Sequence, residues 1–276
     1  MYTGFITCAL ALYALGILLI LPSVARRRAG LPAAALGALA LGLVMHGAAL
    51  AVLAARVHRL PIIDVRSALS FLAFDLTLAF FLIYLRQRIP SLGIFMLPFV
   101  FVLTLAAAVE PGHSFDSAQF RSGWLLAHIA SMILGYTGFF ITFVAAVMYL
   151  IQESELKRKQ PRAFYYRLPS LEVCDSLYYR SLVFGLVFLS AGLITGFVSA
   201  SREWRGPWEY DPKILASLGT WVIYLTLFST RWAGNWRGRR SAYVAILGFA
   251  AILVTFLGAS FLSGQHGFFP NLGGTP

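Results

Sequence analysis

Residues 124–151 read WLLAHIASMILGYTGFFITFVAAVMYLI, an apolar run without Asp, Glu, Lys or Arg. It exceeds the roughly 20 residues that a helix needs to cross about 30 Å of hydrocarbon. Comparable runs recur near 3–22, 32–54, 66–85, 93–109, 180–199, 213–230 and 241–262. Together they predict an all-α, polytopic membrane protein, a bundle of about eight transmembrane helices forming one integral-membrane domain over 1–276. Composition agrees. With 59% hydrophobic and 12% charged residues and a mean hydropathy of +0.77, the chain cannot cover itself with a solvated surface.

Orientation follows from Lys and Arg, which accumulate in short cytoplasmic loops. Arg26–Arg28, Arg86 and Arg88, the Lys157–Arg167 group, and Arg231 with Arg237, Arg239 and Arg240 fall in alternate connections. Those connections are predicted to face the cytoplasm, and both termini to be extracytoplasmic. The first run lacks a basic leader and an A-x-A site, so it reads as a retained span. The expected location is the bacterial cytoplasmic (inner) membrane, with the lipid bilayer as a constant partner. A net charge of +11 is scattered over helix ends and forms no stripe, so nucleic acid is not expected. Cys8 and Cys174, the latter read as lying in a cytoplasmic loop, fall toward opposite faces and are not expected to pair. The chain has no C-x-x-C-H, so covalent heme attachment to itself is excluded, and no C-x-x-C for thiol exchange.

The stretch 202–221, REWRGPWEYDPKILASLGTW, is a tryptophan-rich loop broken by Gly206-Pro207 that runs into the seventh span. The topology brings it to the outer face together with His128, at the outer end of the fifth span, and His266, just beyond the eighth. Two neutral imidazoles on opposite sides of a planar macrocycle complete the octahedral coordination of heme iron, while indoles cover its faces. Arg202, Arg205 or Lys213 are placed to neutralise propionates. The plainer reading is that Trp and Tyr gather at membrane interfaces in any bundle and that an interfacial His is a solvated polar residue.

GPWEYDPKILASLGTWVIYL resembles the WWD signature of the cytochrome c assembly family, tryptophan-rich heme-handling membrane proteins of the CcsA/ResC type that include the compact HemX-like branch. The matching positions are Gly206, Trp208, Asp211, Pro212, Lys213, Trp221 and Tyr224. AHIASMILGYTGF around His128, SGQHGF around His266 and residues 45–61 around His46 are similar to the family's histidine segments. The resemblance implies His128 and His266 as axial ligands of non-covalent heme b, and Trp204, Trp208, Asp211 and Trp221 as the platform of a WWD-like loop, 202–213, between helices six and seven. It also implies a part in cytochrome c biogenesis or in control of heme synthesis. The signature is degenerate here. Tyr210 stands for its second Trp, Ile214 for an acidic residue, and Ser229 for a histidine that synthase-type members carry in an inner heme site. These departures and the short length place the chain closest to the HemX-like branch. Heme handling or regulation is favoured over catalysis, with a part in a heme lyase or cytochrome c synthase system left open.

His46 lies within the second span and Asp75 within the third, at depths that let them meet. Ionisable groups in hydrocarbon are functional suspects. The pair is read either as an imidazole oriented by a carboxylate or, preferably, as a hydrogen-bonded tie between helices. A proton or cation relay through His46 and Asp75 makes a transporter, or an accessory subunit of one, the alternative function. His58 reads as a solvated loop residue, and His113 matches no standard zinc spacing. Residues 152–180 mix charged and aromatic side chains. They are read as an amphipathic interfacial helix or a docking surface for an assembly subunit or tetrapyrrole-pathway enzyme, or else as a solvated loop. No catalytic constellation is visible.

Overall fold

The computed structural model describes residues 1–25, 30–58, 60–109, 122–157, 168–203, 210–234, 236 and 238–254. Within them eight helices follow one another: α1 (Tyr2–Ala25), α2 (Ala33–Val57), α3 (Val65–Gln87), α4 (Pro90–Val109), α5 (Gly123–Leu156), α6 (Leu171–Glu203), α7 (Pro212–Gly234) and α8 (Arg239–Leu253). The described residues contain no strand. Helices α1 to α7 are each long and apolar enough to cross a membrane. The predicted continuation of α8 to 262 lies outside the described residues. Apolar side chains such as Leu18, Val44, Leu85, Ile194 and Leu247 point outward. Only lipid tolerates such a surface, and in lipid the backbone must satisfy its own polar groups, which a helix does. The protein is a multi-pass membrane protein.

The chain divides into two compact units, one of Met1–Phe120 and Ile151–Val173, the other of Arg121–Leu150 and Cys174–Pro276. In the first, α1 packs antiparallel on α2, with Gly42 against the Tyr13 ring and Gly16 against Leu39. α4 packs on α1 and α3, and α3 also meets α2. Asp64 starts α3 through a capping box: its Oδ1 accepts from the Ser67 amide at 2.7 Å, and Ser67 Oγ accepts from the Asp64 amide at 3.0 Å.

In the second unit α5 and α6 run antiparallel. As α5 advances through His128, Gly135, Gly138 and Thr142, its neighbours on α6 step back through Gly196, Leu189, Gly185 and Ser181. The backbones come closest at Gly138, where an added Cβ would stand 2.7 Å from the Gly185 nitrogen. Small residues permit such crossings where lipid supplies no hydrophobic drive. Phe139 stacks on Tyr224 of α7 with centroids 3.6 Å apart and 15° between planes, and Phe143 stacks on Phe249 of α8 at 4.5 Å. At the far end Arg231 grips Asp175 with two bonds of 2.7 Å and lies over the Tyr179 ring.

Two sequence expectations need correction. α5 extends to Leu156 and α6 begins at Leu171, so the described part of 152–180 consists mainly of the ends of two long helices and contains no separate interfacial helix. Cys174 is consequently a buried residue of α6 and not a loop residue; it and Cys8 are both free thiols.

Candidate functional site

His128 lies near the start of α5 and is half-buried. Its Nδ1 is 2.7 Å from the carbonyl oxygen of Gly192 on α6. A carbonyl only accepts, so Nδ1 carries the proton and Nε2 keeps its lone pair. The ring rests on bare backbone: a Cβ at Gly196 would fall 2.6 Å from Nδ1 and 2.8 Å from Cε1. His128 therefore has one nitrogen anchored and the other suited to a metal.

Other residues of interest share this end of the unit. Arg202, in the last turn of α6, places its guanidinium 5.4 Å from the Trp124 ring centroid, a cation–π contact. Asp211 is buried at the start of α7 and accepts the Lys213 amide at 2.9 Å. An Asp immediately before Pro212 is the sequence pattern of a helix start, which fixes where α7 leaves the loop. The Lys213 side chain interacts electrostatically with both Asp211 and His128. Trp221 donates from Nε1 to Ser190 Oγ at 2.9 Å, and Ser190 in turn donates to the Leu186 carbonyl at 2.7 Å. Ser190 precedes Gly192 by two residues, so indole and imidazole meet α6 at similar height but about 160° apart around it.

His128, Arg202, Asp211 and Lys213 of the sequence reading lie at this end of the unit with Trp124 beside them, while Trp221 is bonded to Ser190 on another face of α6. Trp204, Arg205, Gly206, Trp208 and His266 lie outside the described residues, as does His113. Sequence reasoning overlooked Gly192 and Gly196. Their signal was legible as two small residues four apart on one helix face, on the same stripe as Ser181 and Gly185.

His46 is a different kind of histidine. It is fully buried in the first unit, with Nε2 at 2.9 Å from Ser70 Oγ and Nδ1 at 3.3 Å from the Tyr13 hydroxyl. Phe74 packs edge-on against the ring. The expected partner was Asp75, and the ring is held by α1 and α3 through other residues. The reason is azimuth. Ser70 and Asp75 are five residues apart, which turns them about 140° away from each other around α3. His58 is exposed at the end of α2 with φ 53°. Among the described residues no three His, Cys, Asp or Glu side chains form a metal-binding group.

Known proteins extend this picture. The family described as cytochrome C assembly protein matches residues 3–266. The cytochrome c biogenesis protein CcsA of Guillardia theta is 27% identical over 229 residues, covering 75% of this chain and 76% of the relative. That of Prochlorococcus marinus strain MIT 9215 is 30% identical over 234 residues, covering 75% of each. That of Thermosynechococcus vestitus is 27% identical over 249 residues, 75% of this chain and 78% of the relative. A match running from the first helix to His266, with such relatives aligned over three quarters of their length, establishes that the chain belongs to the cytochrome c assembly protein family.

Proposed function

We propose that the chain acts in cytochrome c assembly by holding heme b non-covalently at the extracytoplasmic end of the second unit. Heme is cargo here, the group that a c-type cytochrome receives. His128 and His266 are its axial ligands. Trp204, Trp208, Trp221, Gly206 and Asp211 form its platform, and Arg202 and Arg205 meet its propionates, with Lys213 beside them. The observation that carries the reading is the anchoring of His128 through Nδ1, which presents Nε2 as a donor. The residues around it fit the group: indole surface for an apolar macrocycle, and guanidinium and ammonium groups for its carboxylates.

Assembly is favoured over control of heme synthesis because the relatives carry the biogenesis name. Ser229 of α7 offers no imidazole for an inner site, which keeps the chain near the HemX-like branch. The proposed membrane is the bacterial cytoplasmic membrane, and the proposed partner is an assembly subunit docking within 152–180, where α5 ends and α6 begins. The transporter alternative rested on His46 acting with Asp75, and the bonds of His46 to Ser70 and Tyr13 favour a tie between helices instead.

Purified protein is expected to show the absorption spectrum of low-spin bis-histidine heme, and a His128→Ala, His266→Ala double variant to lose it. Wild-type heme content in that variant would refute the proposal.

A further inference from the structure

We propose that the backbone carbonyl of residue 192 and the bare Cα of Gly196 form a seat on α6 that fixes His128 as its Nδ1–H tautomer, making Gly196 a positioning residue for the iron-binding nitrogen. The inference rests on the heme reading for its consequence, but the tautomer belongs to the ligand-free chain.

The geometry is specific. In a helix the carbonyl of residue 192 points toward residue 196, so a side chain from a neighbouring helix reaches that oxygen only past the Cβ of residue 196. Glycine removes the obstacle. The Gly192 oxygen has two lone pairs: the helical amide of residue 196 takes one and the imidazole the other, while the Thr195 hydroxyl lies closer to the Ala191 carbonyl, 2.8 Å against 3.1 Å. The imidazole approaches at 2.7 Å, shorter than most N–H···O bonds. Fixing the ring orients Nε2, and donation from Nδ1 raises the basicity of the ligating nitrogen.

The two glycines differ in a testable way. At Gly196 a Cβ would collide with the imidazole itself, at 2.6 Å. At Gly192 the nearest obstacle is the Met132 sulfur at 2.7 Å, the end of a flexible side chain that moves aside. Gly196→Ala is therefore expected to unseat His128, and Gly192→Ala to be tolerated. Gly219, whose added Cβ would meet nothing within 4 Å, supplies a neutral control.

The test is nitrogen-15 NMR of the heme-free full chain in lipid nanodiscs, with labelled histidine, at about pH 8, where an ordinary imidazole is neutral. His128 is assigned by the signals lost in His128→Gln. The expected pattern is a protonated Nδ1 and a bare Nε2 in the wild type, kept in Gly192→Ala and Gly219→Ala and lost in Gly196→Ala. Heme affinity of Gly196→Ala should fall about 10- to 100-fold. An Nε2–H tautomer in the wild type overturns the proposal whether or not Gly196→Ala folds, and so does an unchanged His128 pattern in Gly196→Ala. A wild type with the Nδ1–H pattern that nevertheless binds no heme leaves the seat standing and removes the heme reading instead.

Discussion

The crossing of α5 and α6 sets how closely His128 approaches Gly192, so Gly138→Ala is the most informative packing perturbation. The added methyl would lie 2.7 Å from the Gly185 nitrogen, 2.8 Å from its Cα and 3.0 Å from Phe184 Cδ1. Non-bonded carbon contacts settle near 3.5–4.0 Å, so the helices must part by about 1 Å. Two of the three obstacles are backbone and cannot rotate away. Overpacking costs about 1–3 kcal/mol, and with two backbone obstacles this site falls at the upper end, about 2–3 kcal/mol, against which alanine's better helix propensity returns about 1 kcal/mol. The expected net loss is about 1–2 kcal/mol. Gly219→Ala on α7 meets no atom within 4 Å, and is expected to be neutral or to gain up to about 1 kcal/mol. Unfolding in detergent micelles by dodecyl sulfate, followed by far-ultraviolet circular dichroism, should separate the two variants by about 2 kcal/mol, roughly 30-fold in the unfolding equilibrium. A Gly138→Ala protein as stable as wild type would refute the close-crossing argument.

Three further outcomes can be checked in the same system. Asp64→Ala removes the cap of α3 and should cost about 1 kcal/mol, with proteolysis at the α2–α3 connection accelerated. Asp175→Ala leaves the Arg231 side chain, only 8% exposed, without its carboxylate and should cost about 3 kcal/mol; Arg231→Leu added to it should recover part of the loss, and additive losses would contradict the pairing. His46→Ala should lower stability by about 2 kcal/mol and leave heme content unchanged, so loss of heme from an intact fold would show that His46 serves the cargo after all.

The bilayer made the fold legible. Its thickness imposes a length on every apolar run, and all eight predicted spans coincide with helices over their described residues. Helix ends were harder to read because polarity marks where a chain leaves lipid, whereas a helix ends where its hydrogen bonds do. Gln152–Leu156 and Leu171–Tyr179 are polar enough to suggest a loop, yet they continue α5 and α6. Depth counting placed His46 and Asp75 at one height but carried no azimuth, and azimuth decides contact. Arg231 was read only as an orienting charge, since nothing local in sequence pairs it with Asp175, 56 residues earlier. At the candidate site His128, Arg202 and Lys213 were singled out by their chemistry. Gly192 and Gly196 were not, because a glycine's contribution is the side chain it allows to approach.

The contrast between the two described interior histidines gives an energetic reason for the outer location of the proposed site. Turning His46 toward an iron would break its bonds to Ser70 and Tyr13, at about 1 kcal/mol each, and loosen the contact among α1, α2 and α3. His128 faces no such loss. Its single bond runs to a backbone carbonyl on the nitrogen that does not ligate, so anchoring and ligation reinforce each other. The same side chain is thus a tie where both nitrogens are engaged and a candidate donor where one is.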